Sequence, residues 1–183
     1  MQLIGAVARL IDRINEAVGW LVSWLALGLV LVQFTVVLMR YIFGIGSIPM
    51  QESLIYMHAT LFLVAAAYTL KHDGHVRVDI FYRGASLKAK AWVDLGGSLV
   101  FLLPVLWVIW KTGYPYVAAS WAIHEGSTET AGIQAVFLLK TMILVFAVLV
   151  ALQGVSTIIH SILRLTGREA PPPPPAGEDA ERI

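Results

Sequence analysis

The fold of this chain is decided by AVGWLVSWLALGLVLVQFTVVLM, residues 17–39, a run of 23 residues without a charge. At 1.5 Å per residue a helix of this length covers about 34 Å, enough to cross a hydrocarbon layer of roughly 30 Å. Thirteen of its side chains are Leu, Val or Phe, and at about 0.4 kcal/mol each they favour insertion by about 5 kcal/mol. A cleavable leader would carry a shorter apolar run followed by small residues. This run ends instead in Met39-Arg40-Tyr41, so the segment is expected to stay as the first span.

Working outward, three more apolar runs follow, and spans over about 17–39, 53–70, 92–110 and 135–159 predict an all-α membrane protein with four transmembrane helices. The second run is the weakest. It contains only seven Leu, Ile, Val or Phe and includes Tyr56, His58, Thr60, Tyr68 and Thr69, yet Glu52 before it and Lys71 and His72 after it complement a helix dipole. The third holds Pro104, expected to bend it. Lys140 lies near enough to one end of the fourth to reach headgroups.

The composition agrees: 58% of the 183 residues are hydrophobic and 14% charged, where a soluble domain carries about a quarter. There is no cysteine, which excludes disulfides, thiolate metal sites and cysteine nucleophiles together. No basic patch interleaved with aromatics stands outside the flanks of the spans, so no nucleic-acid partner is expected. Cations mark the sidedness. Arg9 and Arg13, then Lys71, Arg77, Arg83, Lys88 and Lys90, then Arg164, Arg168 and Arg182 fall on one side, against Arg40, Lys111 and Lys140 on the other. This distribution predicts both termini and the central connection in the cytoplasm, N-in and C-in.

Residues 71–91 mix Val76, Val78, Ile80, Phe81 and Tyr82 with five cations, which suits an interfacial segment between helices 2 and 3. Ser86 is placed to cap the helix that leads into the third span. Residues 111–134 read as a 24-residue outer connection, and its His124, Glu125 and Glu129 are candidates for docking a partner. Residues 1–165 thus form a four-helix membrane domain. Residues 166–183, with Pro171 to Pro175 and acidic residues after them, read as a disordered Pro-rich cytoplasmic tail.

Polar residues in or near the spans are Gln33, His58, Asp94, Lys140, Gln153 and His160, of which His58 is nearest mid-span. The plain expectation for His58 is a hydrogen bond to a neighbouring helix, with a ligand or proton-relay role as its rival. His72, His75 and His160 fall towards one side, where a haem between the second and fourth helices is geometrically conceivable, as in the membrane anchor of a redox enzyme. No nucleophile elbow, phosphate loop, zinc-ligand spacing or carboxylate pair is present, so no catalysis is expected. Four plain spans also lack the interrupted repeats of a transporter core. Ala147, Ala151 and Gly154 form a small-residue stripe on the fourth span and Ala59 and Ala66 another on the second, surfaces that let helices approach closely. The polarity of the second span further predicts a protein neighbour outside this chain.

Gln51-Glu52, Ala65-Ala66-Ala67-Tyr68-Thr69-Leu70-Lys71 and Gly74-His75-Val76-Arg77-Val78-Asp79 together resemble the small permease subunit of tripartite ATP-independent periplasmic (TRAP) transporters. Arg40-Tyr41-Ile42-Phe43-Gly44, Trp121 with Glu125-Gly126-Ser127, and Leu152-Gln153-Gly154 extend the likeness over residues 15 to 165. The subgroup resembled is the one labelled mannitol/chloroaromatic. Where that subgroup has a proline and a tryptophan before Lys140, this chain reads Gly132-Ile133-Gln134-Ala135-Val136-Phe137.

The resemblance implies a non-catalytic subunit of the bacterial inner membrane that braces a large permease subunit. That partner would bind solute and sodium, with no cofactor expected in this subunit, and a periplasmic binding protein would deliver the solute. For Gly74 to Asp79 it also implies a structural role, so Gly74, His75, Arg77 and Asp79 join Glu52, His58, Ala147, Ala151 and Gly154 as candidates for structural or subunit contacts. Gly74 is expected to end the helix as a C-cap glycine, and Arg77 and Asp79 to pair with each other or with a partner.

Overall fold

The computed structural model describes residues 2–75 and 84–168. Arg77, Asp79, most of the segment expected at the interface and nearly all of the Pro-rich tail lie outside them.

Among the described residues every regular element is helical, and four helical stretches are long and apolar enough to cross a membrane. The first is α1, Gln2–Ile42, whose 41 residues reach about 60 Å, twice the thickness of the hydrocarbon layer. It runs well past the charge-free stretch. Arg9, Asp12, Arg13 and Glu16 are tolerable helix residues and do not stop it. Its inward face is the stripe Gly5, Ala8, Ile11, Asn15, Gly19 and Val22, all buried and spaced by three or four, as one side of an α-helix requires. Gly19 lies under the ring of Tyr68 so closely that any Cβ there would overlap it.

The second stretch is α2, Ile48–Val64, continued after a turn at Ala65 by α3, Ala66–Lys71. Hydrogen bonds from Ala65 N to Leu61 O (3.0 Å) and Thr69 N to Ala65 O (2.9 Å) carry the helix through. The end of α3 corrects one expectation. Gly74 N bonds to Thr69 O (2.9 Å) and Asp73 N to Leu70 O (3.3 Å), a Schellman closure whose left-handed residue is Asp73, at φ 53°. Gly74 is therefore the residue after the left-handed position, where its N–H completes the closure.

The third stretch comprises α4, Leu87–Gly97, a π-helical turn, Ser98–Leu102, and α5, Leu103–Ala122. Ser86 caps α4 as expected, its hydroxyl accepting from Ala89 N at 3.3 Å. The irregularity expected at Pro104 is found just before it. Leu103 N bonds back five residues to Ser98 O, and Pro104 offers no N–H to the carbonyl four residues earlier, so the ladder is wide and incomplete at one place. The helix then continues past Lys111 to Ala122 with Pro115 inside it. The connection between the third and fourth stretches is consequently residues 123–135, about half the length the charge of Lys111 suggested.

The fourth stretch is α6, Val136–Leu165. It touches all the other helical stretches and forms the centre of the bundle. Ala67, Leu106 and Val150 make the core, with Leu70, Leu102 and Phe146 against them. The stripe on α6 points inward: Ala147 and Gly154 are buried and Ala151 packs on the core. A Cβ on Gly154 would stand 2.8 Å from Leu102 Cδ2 in the π turn, so the absence of a side chain sets how closely α6 meets the third stretch.

Candidate functional site

Among the described residues no group of three or more His, Asp or Glu is placed to hold a metal ion. The fold instead gathers its polar groups into two clasps, one at each end of the bundle, and leaves an apolar groove between α1 and α2.

The first clasp joins α1 to α6. Asp12, Asn15 and Glu16 share one face of α1, and Gln153, Ser156 and His160 recur on α6 at the same helical spacing. Asp12 Oδ1 accepts from Ser156 Oγ (2.7 Å) and from Gln153 Nε2 (3.1 Å), while Oδ2 lies 2.9 Å from His160 Nε2. Gln153 Oε1 in turn accepts from Asn15 Nδ2 at 2.7 Å. Asn15, Gln153 and Ser156 are almost wholly buried, where a polar group must be paired to be tolerated. Beside this cluster, Glu16 Oε2 receives Lys71 Nζ at 2.5 Å and lies 2.8 Å from His72 Nε2, tying α1 to the end of α3.

The second clasp fastens the connection 123–135 to the helices beside it. Glu52 on α2 accepts from Ser127 Oγ and from Ile133 N, the latter at 2.5 Å. Tyr56, one turn on, donates its hydroxyl to Ile133 O at 3.3 Å. Gly132 fits because a Cβ there would sit 2.6 Å from Glu52 Oε1. The start of α6 is thus held by the carboxylate of α2. Its N-cap, Ala135, contributes no side-chain bond. Lys140 pairs with Glu125 and lies 4.1 Å over the Tyr116 ring, and Trp121 Nε1 donates to Thr141 Oγ1 at 2.9 Å. The Lys140 ammonium holds the Glu125 carboxyl below the usual carboxylate range.

The groove is an open cavity of about 810 Å³ walled by α1 and α2, with Val30, Gln33, Phe34, Val37, Ile55 and His58 among its lining residues. His58 is exposed there, its ring stacked on Phe62 at 6.2 Å between centroids, and among the described residues it makes no hydrogen bond. The neighbouring-helix bond expected for it is not found.

The candidate residues therefore separate. Glu52, Ala147, Ala151 and Gly154 make contacts inside this chain, and Gly74 closes a helix. His75 is exposed at the edge of the described residues. Of the three candidates for docking, Glu125 is engaged with Lys140, whereas Glu129 is exposed and the exposed His124 ring rests against Phe137 at 5.7 Å. The α1–α6 clasp was missed. Its signal was the recurrence of polar residues at helical spacing in both segments, but nothing local pairs residue 12 with residue 160. The haem-anchor reading is not supported, since His160 and His72 are each engaged by a carboxylate.

Four spanning helices, fastened at both ends and open along one side, define a small multi-pass membrane protein built for helix contacts. The DctQ component of tripartite ATP-independent periplasmic transporters matches residues 29–164, and the chain belongs to this family. Among curated proteins it is similar to the C4-dicarboxylate TRAP transporter small permease protein DctQ of Vibrio cholerae serotype O1, at 26% identity over 114 residues. That match takes in 61% of this chain and 48% of the relative, so it spans about half of the relative's length. No solved structure matches.

Proposed function

We propose that the chain is the small subunit of a sodium-coupled, binding-protein-dependent importer of the bacterial inner membrane, scaffolding the large permease subunit with both termini in the cytoplasm. The observation that carries this reading is a family match running from the first span to the end of the fourth. The clasps support it physically. They spend the polar residues on holding four helices in one arrangement, which is what a brace requires and a solute site does not. The cation distribution, ten of 13 Lys and Arg on one side, supports the orientation. A solute-delivering periplasmic protein would then meet the outer connection, where Glu129 and His124 are exposed. Organic acids are the solute class suggested by the name of the Vibrio relative, while the sequence likeness points to the mannitol/chloroaromatic-like subgroup.

Co-purification tests the reading. Expressed with the neighbouring reading frames of its operon and drawn out by a C-terminal tag in mild detergent, the chain is expected to bring a large multi-span protein in stoichiometric amount. A chain that elutes alone would overturn it. Within that complex, Asp79→Ala is expected to lower the yield of assembled transporter more than its affinity for solute. Normal assembly with lost binding would remove the structural role from Asp79.

A further inference from the structure

From Ser23 to the end of α1, and from Ile48 to Leu63 on α2, no residue is buried. The outer halves of these two helices pair with each other; the second clasp covers α2 at Glu52 and Tyr56, and the side that forms the groove with α1 stays open among the described residues. Two polar side chains sit on the groove between them, Gln33 on α1 and His58 on α2. Both are exposed, and among the described residues neither makes a hydrogen bond. Gln33 is nine residues from the end of α1 and His58 ten from the start of α2, which puts both about 14 Å from the outer ends of their helices, close to the middle of the hydrocarbon layer. No water reaches that depth to satisfy an amide or an imidazole, and an acyl chain carries no group that could.

We infer that this groove receives a transmembrane helix of the large permease subunit bearing a hydrogen-bonding side chain opposite Gln33 and His58. The inference rests on the reading of the chain as a small TRAP subunit and adds where the partner seats and what chemistry it presents. An apolar groove of about 810 Å³ accepts the apolar ridge of a helix. The two polar groups, which lipid alone would leave unsatisfied, fix that helix in rotation and depth. Small exposed apolar residues elsewhere need no such explanation, because lipid covers them at no cost.

The test is photocrosslinking in the co-expressed complex, with p-benzoylphenylalanine at Val30 or Ile55 in the groove and, as a control, at Val108, an exposed residue of α5. Adducts with the mass of this chain plus the large subunit are expected from Val30 and Ile55 and not from Val108. A large subunit that co-purifies while the groove positions yield only lipid adducts, or adducts of two copies of this chain, overturns the inference and leaves the reading of function standing. If no large subunit co-purifies, both fall. The double substitution Gln33→Leu with His58→Leu makes these positions more compatible with lipid, so the isolated chain keeps its helix content and melting behaviour. The complex is nevertheless expected to weaken about threefold for each hydrogen bond lost. An unchanged yield would show that the two side chains do not mark the seat.

Discussion

At the scale of single residues, Gln153 has the greatest consequence, because one amide serves two partners on the opposite helix. It gives a hydrogen to Asp12 and takes one from Asn15. Gln153→Leu leaves the Asn15 amide buried without its acceptor, and the cost of such a loss is about 1–3 kcal/mol. The purified chain is expected to unfold at a distinctly lower temperature in detergent, whereas a loss confined to exposed Thr112, whose hydroxyl bonds only to its own helix, leaves that temperature nearly unchanged. Glu125 makes a prediction of a different kind. Its folded-state acidity is increased by Lys140, so the ion pair stabilises the protein above the ordinary carboxylate range, and that contribution is lost as pH falls through the lowered value. Compared over a pH series, the melting temperatures of wild type and Glu125→Gln are expected to differ at neutral pH and to converge in acid. A gap that stays constant into acid would show that Glu125 acts there without its charge.

At the scale of elements, the four spans were legible because a membrane helix needs only a long apolar run and says so locally. The cap at Ser86 was legible for the same reason. An N-cap acts on the three residues that follow it, and Ser86→Ala is expected to cost about 1 kcal/mol, measurable as reduced protection of the α4 amides from hydrogen exchange. What sequence reasoning misplaced depends on partners far along the chain. Lys111 looked like the end of a span, yet α5 continues because Gly113, Val117 and Ser120 are buried as it packs against α6, and tertiary contact outweighs the turn-like run from Thr112 to Pro115. The left-handed position after α3 fell to Asp73 when Gly74 is the residue built for it, since the Schellman geometry is set by where the helix stops. The partners of Glu52 lie 75 and 81 residues away, and no spacing rule reaches that far.

At the scale of the whole molecule, burial is lopsided. Asn15, Gln153, Ser156 and Ser161 are nearly inaccessible at one end, while residues 23–42 of α1 and 48–63 of α2, at the other end, include no buried residue. One clasp therefore stands within a well-covered bundle, and the other holds a connection over helices that remain half open. The π turn has its own bearing on this arrangement. A single residue removed from an ordinary α-helix turns everything beyond it by about 100°, so deletion of Val108 is expected to carry Gly113, Val117 and Ser120 away from α6 and to abolish folding. Deletion of Val100 instead draws the wide turn into an ordinary one and keeps those faces in place, and the purified chain is expected to remain folded with a modestly lower melting temperature. In the language of alignment, Ser98–Leu102 is a place where two chains of this architecture can differ by one residue in length and still superimpose on either side of the gap.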